Sequence, residues 1–297
     1  MTLEQLALFV AVAERQHLTL GAQAAHRTPS AASAAIKALE QQYGVALFDR
    51  VGRGLALTAA GAAFCADAKA ILARSRAAEL ALSEWRGVLR GTLDLHASQT
   101  VASYWLPTRL MAFHARYPQI EIRLSVGNTD SVARAVREGR AELGFVEGRV
   151  QAPELLSSPL GHDRLRVVAA PDHPLAGRRR PGLARLVADS TWIMREPGSG
   201  TRSAFEAALR DAGIAPERLR VALSLPSNEA VLSAVQAGPS LAAISQLAAA
   251  PWLESGRLQP LAVALGERTF HALRHRERGL GAAAAALLDL QAPSTAA

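Results

Sequence analysis

Apolar positions repeat at helical spacing over the first sixty residues, then in sevens, then in short alternating runs, and these three textures divide the chain. Leu3, Leu6, Ala7, Phe9, Val10 and Val12 form the apolar face of a first helix. Thr19 reads as the N-cap of a second, covering Leu20 to His26. In RTPSAASAAIKALEQQYG, Thr28 can cap, Pro29 suits the first helical turn, and Ile36, Leu39 and Tyr43 recur at helical spacing until Gly44 ends the run. The opposite face carries Ser30, Ser33, Ala34 and Lys37, all small or basic. Such a face suits the second helix of a helix-turn-helix, because small side chains let the backbone approach base edges while hydroxyls and cations meet phosphates. A small helical core with an alanine-rich surface helix has the same periodicity. VALFDRVGRGLALT then reads as a turn and short hairpin, a wing that places Arg50 and Arg53 near a DNA backbone.

From Ala59 to Leu89 no proline interrupts the chain, and Phe64, Ala68, Ile71, Ser75, Ala78, Leu82, Trp85 and Leu89 alternate at spacings of four and three. A heptad seam of this length argues for helix-on-helix pairing, with Ser75 weakening the seam locally and helping to fix register. An amphipathic helix packed on its own domain is the alternative. Gly87 and Gly91 with the intervening VLR mark a hinge.

From Thr92 the pattern becomes strand–helix alternation. TLDLHAS, IEIRLSV, AELGFVE, RLRVVAA, TWIMR, RVALSL and SLAAIS read as strands; helices lie at about Tyr104–Tyr117, in DSVARAVREGR and at about Arg202–Ile214. This rhythm implies an α/β architecture with mostly parallel sheets, whose ligands sit beyond the carboxyl ends of strands. Three such loops carry suggestive chemistry: Ser98, Gln99 and Thr100 in ASQTVASYWLP; Asn128 and Thr129 in VGNTDS; and REPGSGTR, Arg195 to Arg202. Hydroxyls, amides and backbone N–H groups at a helix N-terminus make an anion site, although each loop also suits a plain helix cap.

REPGSGTR lacks the lysine of a phosphate-binding P-loop and does not fit G-x-G-x-x-G, since Ala204 and Phe205 hold the later positions. No nucleophile-elbow G-x-S-x-G frames a Ser-His-Asp triad. His271 and His275 are four apart, but FHALRH reads as a strand, which separates them as metal ligands. Arg178–Arg180 read as a solvated loop. Glu147 ends a strand near the expected cleft, where it either repels an anion or orients a donor; the residues alone leave both roles open.

Composition narrows the partners. The 297 residues suffice for two or three domains, and 33 basic against 26 acidic residues give a net charge of +7, which favours polyanionic partners. All basic residues but Lys37 and Lys69 are arginine. Cys65 is the only cysteine, so no intrachain disulfide or cysteine-based zinc site forms. With no basic leader and no apolar run long enough for a membrane, a cytoplasmic location is expected, with no membrane contact.

The stretch Leu3 to Gly61 resembles the winged helix-turn-helix of LysR-type transcriptional regulators, through Ser33, Leu39-Glu40, Gly44, Leu47-Phe48, Arg50 and the Leu57-Thr58…Gly61 ending. The resemblance extends to about Leu290. It implies an α/β fold class with an all-α N-terminal winged helix-turn-helix (1–58), a linker and dimerisation helix with hinge (59–90), and a periplasmic-binding-protein-like effector domain (91–297). The last would comprise subdomain I (about 91–162 and 268–297) and subdomain II (about 163–267), with crossovers near Gly161–Arg166 and Leu265–Phe270. Thr28, Pro29, Ser30, Ser33, Lys37, Arg50 and Arg53 would line the DNA surface. Position 34, often long and polar in the family, is Ala34, which leaves thymine-methyl contact but no bidentate base contact. REPGSGTR with ASQTVASYWLP and LPSNEAV resembles a subgroup that senses sulfur oxyanions or phosphorylated metabolites of carbon fixation. By that likeness Ser98, Gln99, Thr100, Asn128, Ser199, Gly200 and Thr201 would line the effector cleft.

The expectation is thus a homo-oligomeric regulator, a dimer through its linker helix and further a tetramer, that binds double-stranded promoter DNA and a small anionic ligand. It is expected to need no cofactor or metal and to have no catalytic residues. Two rivals stand: an enzyme acting on a small phosphorylated or carboxylated metabolite, and a solute-binding protein for transport. The first ninety residues have no role in the second.

Overall fold

The computed structural model describes residues 1–51, 54–84, 90–148, 150–176 and 182–291. Arg53, Gly87 and Arg178–Arg180 lie outside them. The chain divides into two compact units, one spanning Met1–Val88 and one built from Leu89–Arg137 with Ala141–Ala297.

The first unit begins with α1 (Leu3–Arg15), α2 (Leu18–Ala24) and α3 (Pro29–Tyr43), followed by a hairpin of β1 (Phe48–Val51) and β2 (Gly54–Leu57), and α4 (Ala59–Glu84). α1 starts in a capping box between Thr2 and Gln5, which satisfies two otherwise orphaned N–H groups. The second helix starts earlier than its expected cap at Thr19: His17 is the N-cap, and its Nδ1 accepts from the Leu20 amide at 3.4 Å. α3 follows its local signals closely. Thr28 accepts from the Ala31 amide, Pro29 occupies the first turn, and Gly44 closes the helix in the left-handed conformation. Leu6, Phe9, Ala13, Leu39 and Leu47 form one core cluster with Cys65 and Ala68 of α4.

α4 therefore uses part of its apolar surface within its own unit. Phe64, Cys65, Ala68 and Leu72 pack against the head, whereas Ile71 of the expected seam is 40% exposed. The seam positions Trp85 and Leu89 fall outside the described residues, as does the Leu82 side chain.

The second unit runs β3 (Gly91–Ser98), α5 (Gln99–Tyr104), α6 (Leu106–Arg116), β4 (Ile120–Gly127), α7 (Thr129–Arg137), β5 (Leu143–Glu147) and β6 (Leu155–Ala169). It continues with α8 (Leu183–Asp189), β7 (Thr191–Arg195), α9 (Gly200–Asp211), β8 (Arg220–Leu225), α10 (Asn228–Gln236), β9 (Ser240–Ser245), α11 (Gln246–Glu254), β10 (Gln259–Leu261), β11 (Glu267–His275) and α12 (Ala282–Gln291). The sheet order is β4-β3-β5-β11-β6-β9-β7-β8, with β10 on β6. The helix expected over about Tyr104–Tyr117 is α6, starting at Leu106, and a further short helix, α5, precedes it across Trp105.

The sheet is mixed rather than mostly parallel. β3 pairs in parallel with β4 and β5, and β7 with β8 and β9, but β6 and β11 pair antiparallel along their length. These two long strands carry the chain from one α/β cluster to the other and back. The first cluster packs Leu93, Leu106, Phe113, Phe145 and Phe270; the second packs Val167, Trp192, Phe205 and Leu241. Because parallel strands are joined by helices, the loops after β3, β4 and β7 lead into helices that face the junction of the two clusters.

The head is packed tightly enough to test. A Cβ on Gly21 would lie 2.5 Å from Val12 Cα, so α2 can rest on α1 only without a side chain there. Gly21→Ala should destabilise the first unit by about 1–3 kcal/mol. Calorimetry of the full chain should show its transition moving down while that of the second unit stays fixed. An unmoved first transition would contradict the α1–α2 contact.

Candidate functional site

Two sites emerge, one on each unit. On α3 the buried positions are Ala32, Ile36 and Leu39, which turns Thr28, Pro29, Ser30, Ser33, Ala34 and Lys37 outward. Thr28 Oγ1 lies 3.2 Å from Ser30 Oγ, so the cap and the first turn share a hydroxyl pair at the exposed N-terminus. Arg50 is exposed on β1, and Arg53 lies outside the described residues. The turn between α2 and α3 is tight: His26 takes a positive φ of 52°, and the Arg27 amide returns to the Ala22 carbonyl at 2.9 Å. The result is a helix that shows small and hydroxylated side chains plus one cation, a surface able to approach a nucleic-acid groove closely.

In the second unit the loops after β3, β4 and β7 do converge, but around a carboxylate. Glu147, at the end of β5, is 2% exposed. Ser98 donates to its Oε2, and Thr201 donates to its Oε1 at 3.2 Å. The Thr100 and Thr201 hydroxyls lie 3.4 Å apart, and Asn228 Nδ2 donates to Thr100 at 3.1 Å. Arg268 on β11 donates to Thr201 at 3.0 Å, sits 3.7 Å from Glu147, and places Nε and Nη2 on Asp163 Oδ2 at 2.9 and 2.6 Å.

The remaining expected residues have other partners. Gln99 accepts from the Asn228 amide at 3.0 Å and donates to Glu229, which Tyr104 also meets. Burial pushes Glu229 up, but donation from Tyr104, Gln99 and Ser227 outweighs it and holds the carboxyl below its ordinary range. Burial and the contact with Glu229 raise the Tyr104 phenol. Asn128 caps α7, accepting from the Ser131 amide at 2.9 Å, and its Nδ2 reaches the Pro197 carbonyl at 3.4 Å. Ser199 is the N-cap of α9 by position, yet its side chain makes no cap bond.

Both arginines of REPGSGTR are already neutralised. Arg195 is buried and paired with Glu196 at 2.8 Å, with Asn228 Oδ1 as a further acceptor; Arg202 pairs with Glu206 at 2.8 Å. The free space lies beside these groups. A cavity of about 760 Å³ is lined by Thr129, Glu147, Gly148, Gly198 and Gly200, with Arg134, Arg137 and Arg210 on its flanks and Asp130 as a second acid. Of the seven expected effector residues only Gly200 lines it. A Cβ at Gly200 would lie 2.4 Å from the Glu147 carbonyl and 2.6 Å from Thr129 Oγ1, so the α9 N-terminus reaches this wall only as glycine.

Arg268, Asp163, Arg195 and Asn228 were not singled out as site residues from the sequence. Arg195 and Asn228 stood inside quoted motifs, and Asp163 and Arg268 inside the expected crossovers, but their pairing is created by the β6–β11 register, in which Arg268 faces Asp163. Among the described residues, no group of three or more His, Cys, Asp and Glu is placed to hold a metal, and no helix is long and apolar enough to cross a membrane.

Residues 3–62 match the model for the lysR family of bacterial regulatory helix-turn-helix proteins, and residues 86–293 match the LysR substrate binding domain. The chain is 35% identical over 296 residues to the HTH-type transcriptional regulator YeiE of Escherichia coli strain K12, covering 99% of this chain and 98% of YeiE. It is 35% identical over 263 residues to the RuBisCO operon transcriptional regulator of Allochromatium vinosum, covering 89% and 85% of the two chains. The regulatory domain of Synechocystis PCC6803 CcmR, solved in complex with 2-PG, is 28% identical with a TM-score of 0.62, covering 68% of this chain and 96% of that one.

Arg268 compensates two buried carboxylates at once, so its removal leaves charge unpaired. Arg268→Met should cost about 3–5 kcal/mol, read as an earlier urea transition of the second unit. A variant as stable as the native chain would show that Glu147 and Asp163 do not depend on it.

Proposed function

Because the chain belongs to the LysR family of helix-turn-helix transcriptional regulators, we propose that it binds promoter DNA as a homo-oligomer and responds to a small anionic effector held in its C-terminal unit. The observation that carries the first half is the outward strip of α3, from Thr28 to Lys37, presented by a helix whose other face is core. Residues 1–58 are the DNA-binding domain, 59–90 the linker and dimerisation helix with hinge, and 91–297 the effector domain, with subdomain I at about 91–162 and 268–297 and subdomain II at about 163–267. Thr28, Pro29, Ser30 and Ser33 approach the groove, while Lys37, Arg50 and Arg53 meet phosphates.

Support for an anionic effector comes from Arg134, Arg137 and Arg210 flanking the cavity, the last of them sharing Glu206 with Arg202, and from the 2-PG complex of the related CcmR domain. Ser98, Gln99, Thr100, Asn128, Ser199, Gly200 and Thr201 serve this site mainly as its supporting wall. The protein acts as a regulator rather than an enzyme, without cofactor, in the cytoplasm where its DNA lies. Two heads on one oligomer give it paired half-sites, and the apolar seam of α4, with Ile71 exposed, supplies the contact between copies. Effector binding shifts the DNA-bound form only as far as the ligand prefers one conformation over another.

Two substitutions on α3 test its placement on DNA. Ser33→Glu should abolish operator binding in a gel shift, because it sets negative charge against DNA, while leaving ligand affinity unchanged. Lys37→Ala should weaken binding to all duplexes and lower the slope of log affinity against log salt by about one. Retained operator binding by Ser33→Glu would overturn the placement of α3 on DNA.

A further inference from the structure

A hydroxyl has one proton to give, and those of Ser98, Thr100 and Thr201 are already committed. Ser98 and Thr201 both donate to Glu147. Thr201 spends its proton there, so in its contact with Thr100 the donor is Thr100, which in turn accepts from Asn228. The bonds thus run in one direction, from Asn228 through Thr100 and Thr201 to the carboxylate. Arg268 brings no surplus charge, since Glu147 and Asp163 share its one guanidinium. A bare oxyanion entering this cluster would meet the Glu147 carboxylate where the loop chemistry promises donors.

Glu147 nevertheless borders the 760 Å³ cavity, and a carboxylate has about four acceptor sites, of which the two hydroxyls fill two. Beside it Thr129 Oγ1, in a residue 7% exposed and lining the same cavity, has no hydrogen-bond partner, and neither has Ser199 Oγ, in a residue 2% exposed at the start of α9. The twelve-residue helix α9 begins with no side-chain cap bond, which leaves its first amides available to negative charge. The cavity wall therefore combines donors able to hold an anion with one fixed acceptor that accepts only from a donor.

We propose that Glu147 makes the cleft select anions that still carry a proton or hydroxyl to donate, such as hydrogen phosphate, hydrogen sulfite and phosphorylated or hydroxylated acids, and reject fully deprotonated sulfate. The proposal rests on the reading of this cleft as an anionic effector site. The ligand O–H points at Glu147, while its charged oxygens take Thr129, the α9 amides and the flanking arginines. Sulfate offers only lone pairs to Glu147, and the repulsion between the two is not relieved by any group in the wall. A site built around one buried hydrogen bond to its ligand discriminates strongly against the analogue that lacks the donor.

Isothermal titration calorimetry on the full-length chain at constant ionic strength tests this with inorganic phosphate, sulfite just below neutrality, and sulfate. Calorimetry is preferred to melting shifts because sulfate and phosphate stabilise proteins by exclusion from their surfaces. Phosphate and sulfite should bind at least about a hundredfold more tightly than sulfate. Glu147→Gln, whose amide can donate, should bring sulfate to within about tenfold of phosphate. Sulfate binding the native chain as tightly as phosphate overturns the proposal however the variant folds, as does an unchanged preference in a folded Glu147→Gln, and either result leaves the anion site standing. Failure of all three anions to bind native and variant chains overturns the proposal together with the anionic reading of the cleft.

Discussion

Two carboxylates share one guanidinium in the interior of the second unit, and much of the site follows from that arrangement. Glu147 stands at the end of β5, Asp163 on β6 and Arg268 on β11, all buried, and both acids lose their compensation if Arg268 moves away. Ser98 and Thr201 extend the network to the end of β3 and the start of α9. The charges thus lock the two long crossover strands to the loops of both α/β clusters. Any rotation of one cluster against the other must exchange the Thr201–Glu147 and Asn228–Thr100 bonds for others, so the network is where a ligand can bias one arrangement over another.

The same accounting explains why REPGSGTR is a subtler motif than its composition suggests. Its arginines carry no free charge toward the cavity, because Glu196 and Glu206 neutralise them within a few residues. What the motif contributes is backbone: Gly198 takes a φ of 83° beside Asp130 and Asn128, and Gly200 lets the α9 N-terminus meet Glu147 and Thr129. Positive charge at the cavity comes instead from Arg134 and Arg137, and from Arg210, which shares Glu206 with Arg202; the three belong to no recognisable motif.

Local grammar was legible in the sequence. Thr28, Pro29 and Gly44 bound α3 as their types demand, and the strands of the second unit, except β10 and the first half of β6, fall in the short apolar runs that announce them. The start of α2 was not legible, because an imidazole does the work usually given to a hydroxyl or carboxamide. The first half of β6 was missed as well: Leu155 to Leu160 do not alternate and include Pro159, which is accommodated next to a register shift against β11. The loops after β3, β4 and β7 were found by their residue types, and the structure brings them together. Glu147 was placed near the cleft with its role open, but its pairings were not found, since it lies 49 and 54 residues from Ser98 and Thr201, and neither was the pair of Asp163 and Arg268, 105 residues apart. Chain topology creates those pairs, and no periodicity records it.

The central claim, that Glu147 stays in the wall and receives a proton from the ligand, is tested most directly by a crystal structure of the chain with phosphate bound. The account predicts a phosphate oxygen within hydrogen-bond distance of Glu147, with the Ser98 and Thr201 contacts to that carboxylate intact and Thr129 newly partnered. A phosphate seated on Ser98 and Thr201 themselves, with Glu147 swung out of the wall, would contradict it.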